Sequence, residues 1–390
     1  MIYRKFANID LSLLGFGTMR FPSVNGVIDI PQTEAMFDLA IKNGVNYFDT
    51  AYPYHGGKSE IITGNALSAY PRDKWYLASK FPGHQISERY DPKAIFEEQL
   101  KKCRVDYFDF YLLHNVYEGS VATYESDKWG ILDYFLEQKK NGRIRHLGFS
   151  SHAHYDTLAS FLDRHGEDME FCQLQLNYLD WTLQDGKKKV DLLNKLNIPV
   201  WVMEPVRGGK LAKLPENLHN KLAAVQPDRT NASWAFRFLQ GIDGIGMILS
   251  GMSSLEQMQD NLNTFNTLSP LSDAENKLVL DIAEELKDAV PCTGCRYCCD
   301  GCPMGLDIPT LINAWNDLGV TASFNTTMFL ETLPKDKQPA ACVNCGQCAA
   351  ICPQKIDIPD VLSRLADKFA SMPTWAQICK ERDEAAKKNK

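Results

Sequence analysis

Nine of the twelve cysteines lie between Cys292 and Cys352, and eight of them form two runs of identical spacing. Cys292, Cys295, Cys298 and Cys302 read Cys-x2-Cys-x2-Cys-x3-Cys, with Pro303 directly after the last. Cys342, Cys345, Cys348 and Cys352 repeat the run, with Pro353 after it. Three thiolates on one tight loop suit three irons of a [4Fe-4S] cubane, and the fourth iron takes a thiolate from elsewhere. Zinc would use paired Cys-x2-Cys ligands but has no need of a third and fourth Cys followed by Pro in both halves. Disulfides are disfavoured because the opening MIYRKFANID has no apolar signal-peptide core, which points to the reducing cytosol. Two [4Fe-4S] clusters are therefore expected. Cys299 is spare, a buried bystander before it is an alternative ligand, and the isolated Cys103, Cys172 and Cys379 read as packed thiols.

A second set of reactive side chains closes short apolar runs nearer the start. Asp49 follows Val45-Asn-Tyr-Phe, Lys80 follows Trp75-Tyr-Leu-Ala-Ser, His114 follows Tyr111-Leu-Leu, and Tyr54 comes shortly after Asp49. Taken singly, a lysine ending a strand is a surface charge and a lone histidine is packing. Four such groups converging on one rim make a different object. A buried Asp–Lys pair beside a tyrosine should lower the phenol from its usual pKa of about 10. Tyr54 would then donate a proton to a developing alkoxide.

These residues need a scaffold that brings strand ends together. Strands are expected at Leu13–Gly17, Asn46–Asp49, Trp75–Lys80, Phe108–His114, His146–Ser150, Phe171–Leu176, Val200–Glu204 and Gly244–Ser250. Helical periodicity fills the intervals, as at Ala94–Cys103, Ile131–Lys140 and Val190–Leu196. Strands alternating with helices imply parallel pairing through right-handed crossovers, and eight of them make a (β/α)8 TIM barrel, an α/β fold. A doubly wound sheet would want Gly-x-Gly-x-x-Gly after the first strand, and Gly15-Phe-Gly17-Thr-Met-Arg20 lacks the third glycine. Beyond Pro270 the texture changes. Ser272–Val290 reads as one amphipathic helix with Leu278, Ile282 and Leu286 on a face. The boundary is placed there, giving a barrel over 1–270 and a small, mainly α-helical domain over 271–390.

Within that second domain Cys302-Pro-Met-Gly-Leu-Asp-Ile-Pro309 matches Cys352-Pro-Gln-Lys-Ile-Asp-Ile-Pro359. Asp307 and Asp357 are natural N-caps with proline in the first turn, so each cysteine loop feeds a helix. The runs have the spacing of bacterial ferredoxins, and the helical spacer makes the region resemble the α-helical ferredoxin domain of succinate dehydrogenase iron–sulfur subunits. In two-cluster ferredoxins the fourth Cys of each run serves the other cluster. That resemblance implies one cluster on Cys292, Cys295, Cys298 and Cys352, and a second on Cys342, Cys345, Cys348 and Cys302.

The barrel region, roughly 10–265, resembles the aldo-keto reductase family. The likeness rests on GFGTM at Gly15, FDTAYPY at Phe48, SEIITGNAL at Ser59, LASK ending at Lys80, LLH ending at His114 and GRIRHLGFSS at Gly142. It implies that Tyr54 protonates the carbonyl oxygen as hydride arrives from a nicotinamide, that Lys80 paired with Asp49 tunes Tyr54, and that neutral His114 orients the substrate. Tyr52 is the nearest competitor as acid. The same likeness places Gly17, Thr18 and Met19 at the nicotinamide ribose and Ser150 and Gln173 at its carboxamide, with Ser151 in place of an asparagine. Gly251 and Gln257 stand where the family often has cations for the 2′-phosphate of NADP, with Ser253 and Ser254 between; Asp260 and Asn261 stand at the adenine. Without the two cations, NAD and NADP both stay open. Arg207 could reach a pyrophosphate or be a loop charge.

The 44% hydrophobic content is that of a globular protein, and no apolar stretch is long enough to cross a membrane. A net charge of −7 and an isoelectric point near 5.7 argue against a nucleic-acid partner. The expectation is a cytoplasmic iron–sulfur oxidoreductase acting on a small carbonyl substrate, with a ferredoxin-like redox partner and room for a flavin between nicotinamide and clusters. The alternative is an electron-transfer or accessory subunit whose barrel does not turn over.

Overall fold

Eight short apolar segments become the staves of one closed, parallel barrel. They are β1 (Leu14–Gly17), β2 (Tyr47–Asp49), β3 (Tyr76–Phe81), β4 (Phe108–Val116), β5 (Ile144–Ser151), β6 (Cys172–Gln175), β7 (Val200–Met203) and β8 (Ile245–Gly251). Each pairs with its neighbours in chain order, and β8 closes onto β1. The computed structural model describes residues 1–24, 27–85, 87, 90–286, 290, 292, 296–320, 324–352 and 356–388.

The expected strands are all present, with ends shifted by a residue or two. Two short antiparallel pairs were not anticipated, Tyr3–Phe6 with Ile9–Ser12 and Ser23–Val24 with Val27–Ile28. The first one closes the barrel floor: Phe6 meets Trp201 and His146 edge-on, each at 4.9 Å, and Leu11 joins the interior. Helices cover the outside, and some of them start on side-chain caps. Asp29 accepts from the Gln32 amide at 3.0 Å to open Ile30–Lys42, and Asp91 accepts from Ala94 at 2.9 Å to open Pro92–Cys103. Such a cap is worth about 1 kcal/mol.

The chain packs as two units, Met1–Leu280 with the segment from Ala385, and Asp281–Glu384. The division falls inside the helix Asp273–Leu286, later than the expected boundary near 270. That helix opens on a reciprocal cap, in which Ser272 N donates to Glu275 Oε2 at 2.8 Å and Glu275 N to Ser272 Oγ at 3.4 Å. Its buried face runs through Glu275, Val279, Ile282 and Ala283, turned from the Leu278–Ile282–Leu286 stripe. The cause is Arg237, whose guanidinium meets the Glu275 carboxylate at 3.2 Å and draws that edge inward.

The second unit is helical: Tyr297–Asp300, Ile308–Val320, Phe324–Thr332, Gln347–Ile351, Ile358–Ala370 and Trp375–Lys388. Leu306, Ile308, Leu311, Ile312, Ile358, Leu362 and Leu365 form its core. The internal repeat is visible as two cysteine loops, each leading into a long helix. Asp357 accepts from Asp360 N at 3.3 Å to cap one, and Asp307 precedes the other with its carboxylate 3.1 Å from Arg296. Among the described residues no helix is long and apolar enough to cross a membrane.

Candidate active site and cluster loops

The inward face of the barrel explains why the reactive residues meet. Tyr47, Ala78, Leu112, Phe171, Trp201 and Leu249 pack together inside. Two residues further along a strand the same face is presented. That step reaches Asp49, Lys80, His114, Met203 and Gly251, in the C-terminal parts of five strands, and Gln173, the second residue of β6. Register agrees, with Gly17 opposite Gly251 and Asp49, Asp49 opposite Ala78, and Ser150 opposite Gln173. Active sites of such barrels form at this end.

Lys80 is the hub. Its Nζ donates to Asp49 Oδ1 at 2.5 Å and to the Thr50 carbonyl at 2.7 Å, and lies 4.9 Å from the Tyr54 ring centroid. Lys80 is 1% exposed and Asp49 3%, so each ion depends on its partner. The Tyr54 and His114 rings meet edge-on at 5.7 Å. Tyr54 is presented by a turn in which His55 and Gly56 take left-handed φ values of 53° and 63°, and the His55 ring stacks on Phe21 at 5.2 Å. Tyr52 faces elsewhere, donating to Glu98 Oε2 at 3.1 Å.

Burial lifts the Asp49 carboxyl above its usual range, against the pull of Lys80 and the Gln173 amide. Burial also works against the Lys80 ammonium, but Asp49 and Tyr54 outweigh it and hold its pKa above the ordinary lysine value. The expected lowering of Tyr54 is overturned. Burial is the largest influence and raises the phenol, while Lys80 limits the rise. Tyr54 therefore stays protonated at neutral pH.

Hydroxyls brace this corner. Thr18 Oγ1 donates to the Asp49 carbonyl at 2.9 Å and lies 2.7 Å from Ser59 Oγ, which lies 2.9 Å from Thr50 Oγ1. Thr18 is thus buried with its hydroxyl engaged, leaving only its main chain for a ligand, whereas Met19 is 49% exposed. Sequence reasoning missed His84, which follows Lys80 on the same strand end and packs its ring 4.3 Å from that of His114. Only its closeness to Lys80 in the chain could have signalled it.

The residues matched to the nicotinamide fit such a group. Gln173 Oε1 is buried without a hydrogen-bond partner, an acceptor suited to a carboxamide N–H. Ser150 Oγ accepts from Asn115 N at 2.7 Å, and its hydroxyl proton remains to be donated. Ser151 Oγ donates to the Val116 carbonyl at 2.8 Å. Around β8 the polar groups are already engaged. Gln257 Oε1 accepts from Ser253 N at 2.8 Å, Gln257 N donates to Ser254 Oγ at 3.3 Å, and Ser253 Oγ donates to the Arg20 carbonyl at 2.9 Å. Asn261 donates to Ser250 Oγ at 2.9 Å, and Asp260 accepts from Thr230 at 2.8 Å. Arg20, unassigned from the sequence, lays its stem against Gly251, where a Cβ would come within 3.2 Å of it, and reaches Glu204 at 3.3 Å. Arg207 is not an exposed loop charge: it is buried, 3.2 Å from the Asp180 carboxylate.

In the second unit Cys302, Cys342, Cys345 and Cys348 line one small cavity, with Leu306 and Ile308 behind them. Cys302 thus joins the three cysteines of the other run. Cys292, Cys298, Cys299 and Cys352 gather against the same apolar core, and Cys295 lies outside the described residues. Among the described residues no three His, Cys, Asp or Glu side chains are close enough to hold a single ion. A cubane instead spreads four thiolates over four irons, one to each.

A parallel eight-stranded barrel with an Asp–Lys–Tyr–His group on its C-terminal rim, followed by paired cysteine runs, defines a barrel oxidoreductase carrying an iron–sulfur domain. Residues 13–284 match the aldo/keto reductase family, and the chain belongs to it; residues 291–356 match the 4Fe-4S dicluster domain. The chain is 26% identical over 326 residues to the NADH-specific methylglyoxal reductase of Escherichia coli, covering 72% of this chain and 97% of that protein. It is 24% identical over 291 residues to the uncharacterized oxidoreductase YqkF of Bacillus subtilis, covering 67% and 89%. Among solved structures, the aldo-keto reductase AKR11C1 of Bacillus halodurans in its holo form superposes with a TM-score of 0.59 at 24% identity, covering 72% of this chain and 96% of that one. The chain is an oxidoreductase.

Proposed function

We propose that the protein is an iron–sulfur aldo-keto reductase that reduces a small carbonyl substrate, with Tyr54 as proton donor. The carrying observation is Lys80, held by Asp49 and the Thr50 carbonyl directly beneath the Tyr54 ring. When bound, a nicotinamide supplies hydride and the clusters supply single electrons. Tyr54 places its hydroxyl proton where negative charge grows on the substrate oxygen, and Lys80 steadies the phenolate left behind. Asp49 keeps Lys80 charged and aimed. His114 orients the carbonyl from the far side of Tyr54. Gln173 and Ser150 would hold the carboxamide. The engagement of Gln257 as a helix cap, with glycine at 251, supports weak discrimination between NAD and NADP, and the named activity of the Escherichia coli relative favours NADH. Anaerobic titration with NADH and NADPH, then with aldehydes and ketones, tests this. Cofactor oxidation that depends on the carbonyl is the expected result. A protein that binds neither nucleotide and consumes no carbonyl would be an accessory electron carrier instead.

A further inference from the structure

Lys337 ends the short turn Lys335–Lys337 that leads into the second cysteine run. Its Nζ donates to the Met304 carbonyl at 2.6 Å, and Met304 lies two residues past Cys302. Both Met304 and Cys302 line the cavity shared with Cys342, Cys345 and Cys348. Gly305, with φ +57°, leaves room for the ammonium: a Cβ there would stand 3.1 Å from Nζ. The side chain is partly buried and, among the described residues, meets no carboxylate within ion-pair distance. Arg296, on the loop of the first run, differs. It is neutralised by Asp307 at 3.1 Å, and both side chains are about half exposed. In the sequence Lys287 stands at the same spacing before Cys292 as Lys337 before Cys342, but it lies outside the described residues.

We propose that Lys337 tunes the cluster site of Cys302, Cys342, Cys345 and Cys348, its unneutralised charge raising that site's reduction potential. The inference rests on the reading that the clusters carry electrons. One-electron reduction makes a cluster more negative with no bond made or broken, the electron coming from an external low-potential donor. A fixed cation behind the ligand loop stabilises the reduced form over the oxidised one, and partial burial keeps water from screening it.

The test is an anaerobic, EPR-monitored potentiometric titration of the full-length holoprotein, with reduced viologen dye as donor, across Lys337→Arg, Lys337→Gln and Lys337→Glu. In Lys337→Gln the reduced-to-oxidised ratio of one cluster at fixed potential should fall about tenfold, or about 59 mV for one electron. Lys337→Glu should fall further, Lys337→Arg should match the native protein, and the other cluster should not move. Potentials that ignore this order of charge, at native iron content, overturn the proposal. So does loss of iron in Lys337→Gln, which would make Lys337 a brace for the loop. A native protein whose clusters accept no electron from the dye overturns both this proposal and the electron-carrying reading.

Discussion

At the scale of the residue, Tyr54 carries the argument, because burial raises its phenol while Lys80 restrains it. On the proposed role the hydroxyl is needed only as charge develops on oxygen, so Tyr54→Phe should reduce carbonyl turnover by about 10²–10⁴-fold, the range of general acid catalysis. Nicotinamide affinity, read by fluorescence quenching, should hardly change. Retention of more than a tenth of the rate would move the proton donor elsewhere. Gln257 supports a second expectation. The native preference for NADPH over NADH should be about tenfold or less, since a charged contact to phosphate is worth roughly 1.5–3 kcal/mol and neither Gly251 nor Gln257 supplies one. Gln257→Arg should shift preference toward NADPH while giving up the cap on Ser253 N. Asp49, Lys80 and His114 were legible because each follows an apolar run, and Tyr54 because it stands just after Asp49. Arg20, His84 and Arg207 were not, since Glu204, His114 and Asp180 approach them only once the barrel has closed.

At the scale of the element, the eight barrel strands were legible because parallel strands buried on both faces are short, continuous apolar runs. The floor hairpin Tyr3–Phe6 and Ile9–Ser12 was not: its burial alternates weakly, and Phe6 finds Trp201 only after folding. For the cysteine loops, the likeness to two-cluster ferredoxins is what implies the partners. Cys302 shares a cavity with Cys342, Cys345 and Cys348 across a helical spacer. Cys302→Ser should therefore disturb the cluster of the second run while Cys292, Cys295 and Cys298 keep theirs. Iron analysis with EPR should show up to half the iron lost, and the same resonance lost in Cys345→Ser. Loss of a different resonance in those two variants would place Cys302 with its own run.

At the scale of the whole molecule, the question is why an aldo-keto reductase barrel and an iron–sulfur domain share one chain. Hydride carries two electrons, whereas a cubane passes one, so the two chemistries do not exchange directly. Either a mediator such as a flavin stands between them, or the substrate receives electrons singly, or the clusters only staple a small domain whose core is thin. Stapling alone would be served by one metal site, yet both runs are complete in the sequence and one set of four thiols already opens onto a common cavity. The electron-carrying arrangement therefore predicts a response between the domains. Clusters reduced anaerobically by a low-potential dye should regain their visible absorbance when the carbonyl substrate is added with nicotinamide absent. The Tyr54→Phe variant should slow that recovery if protonation at the barrel is coupled to it. Clusters that bleach but never respond to a carbonyl or a nicotinamide would leave them as structural staples and the barrel as a self-sufficient reductase.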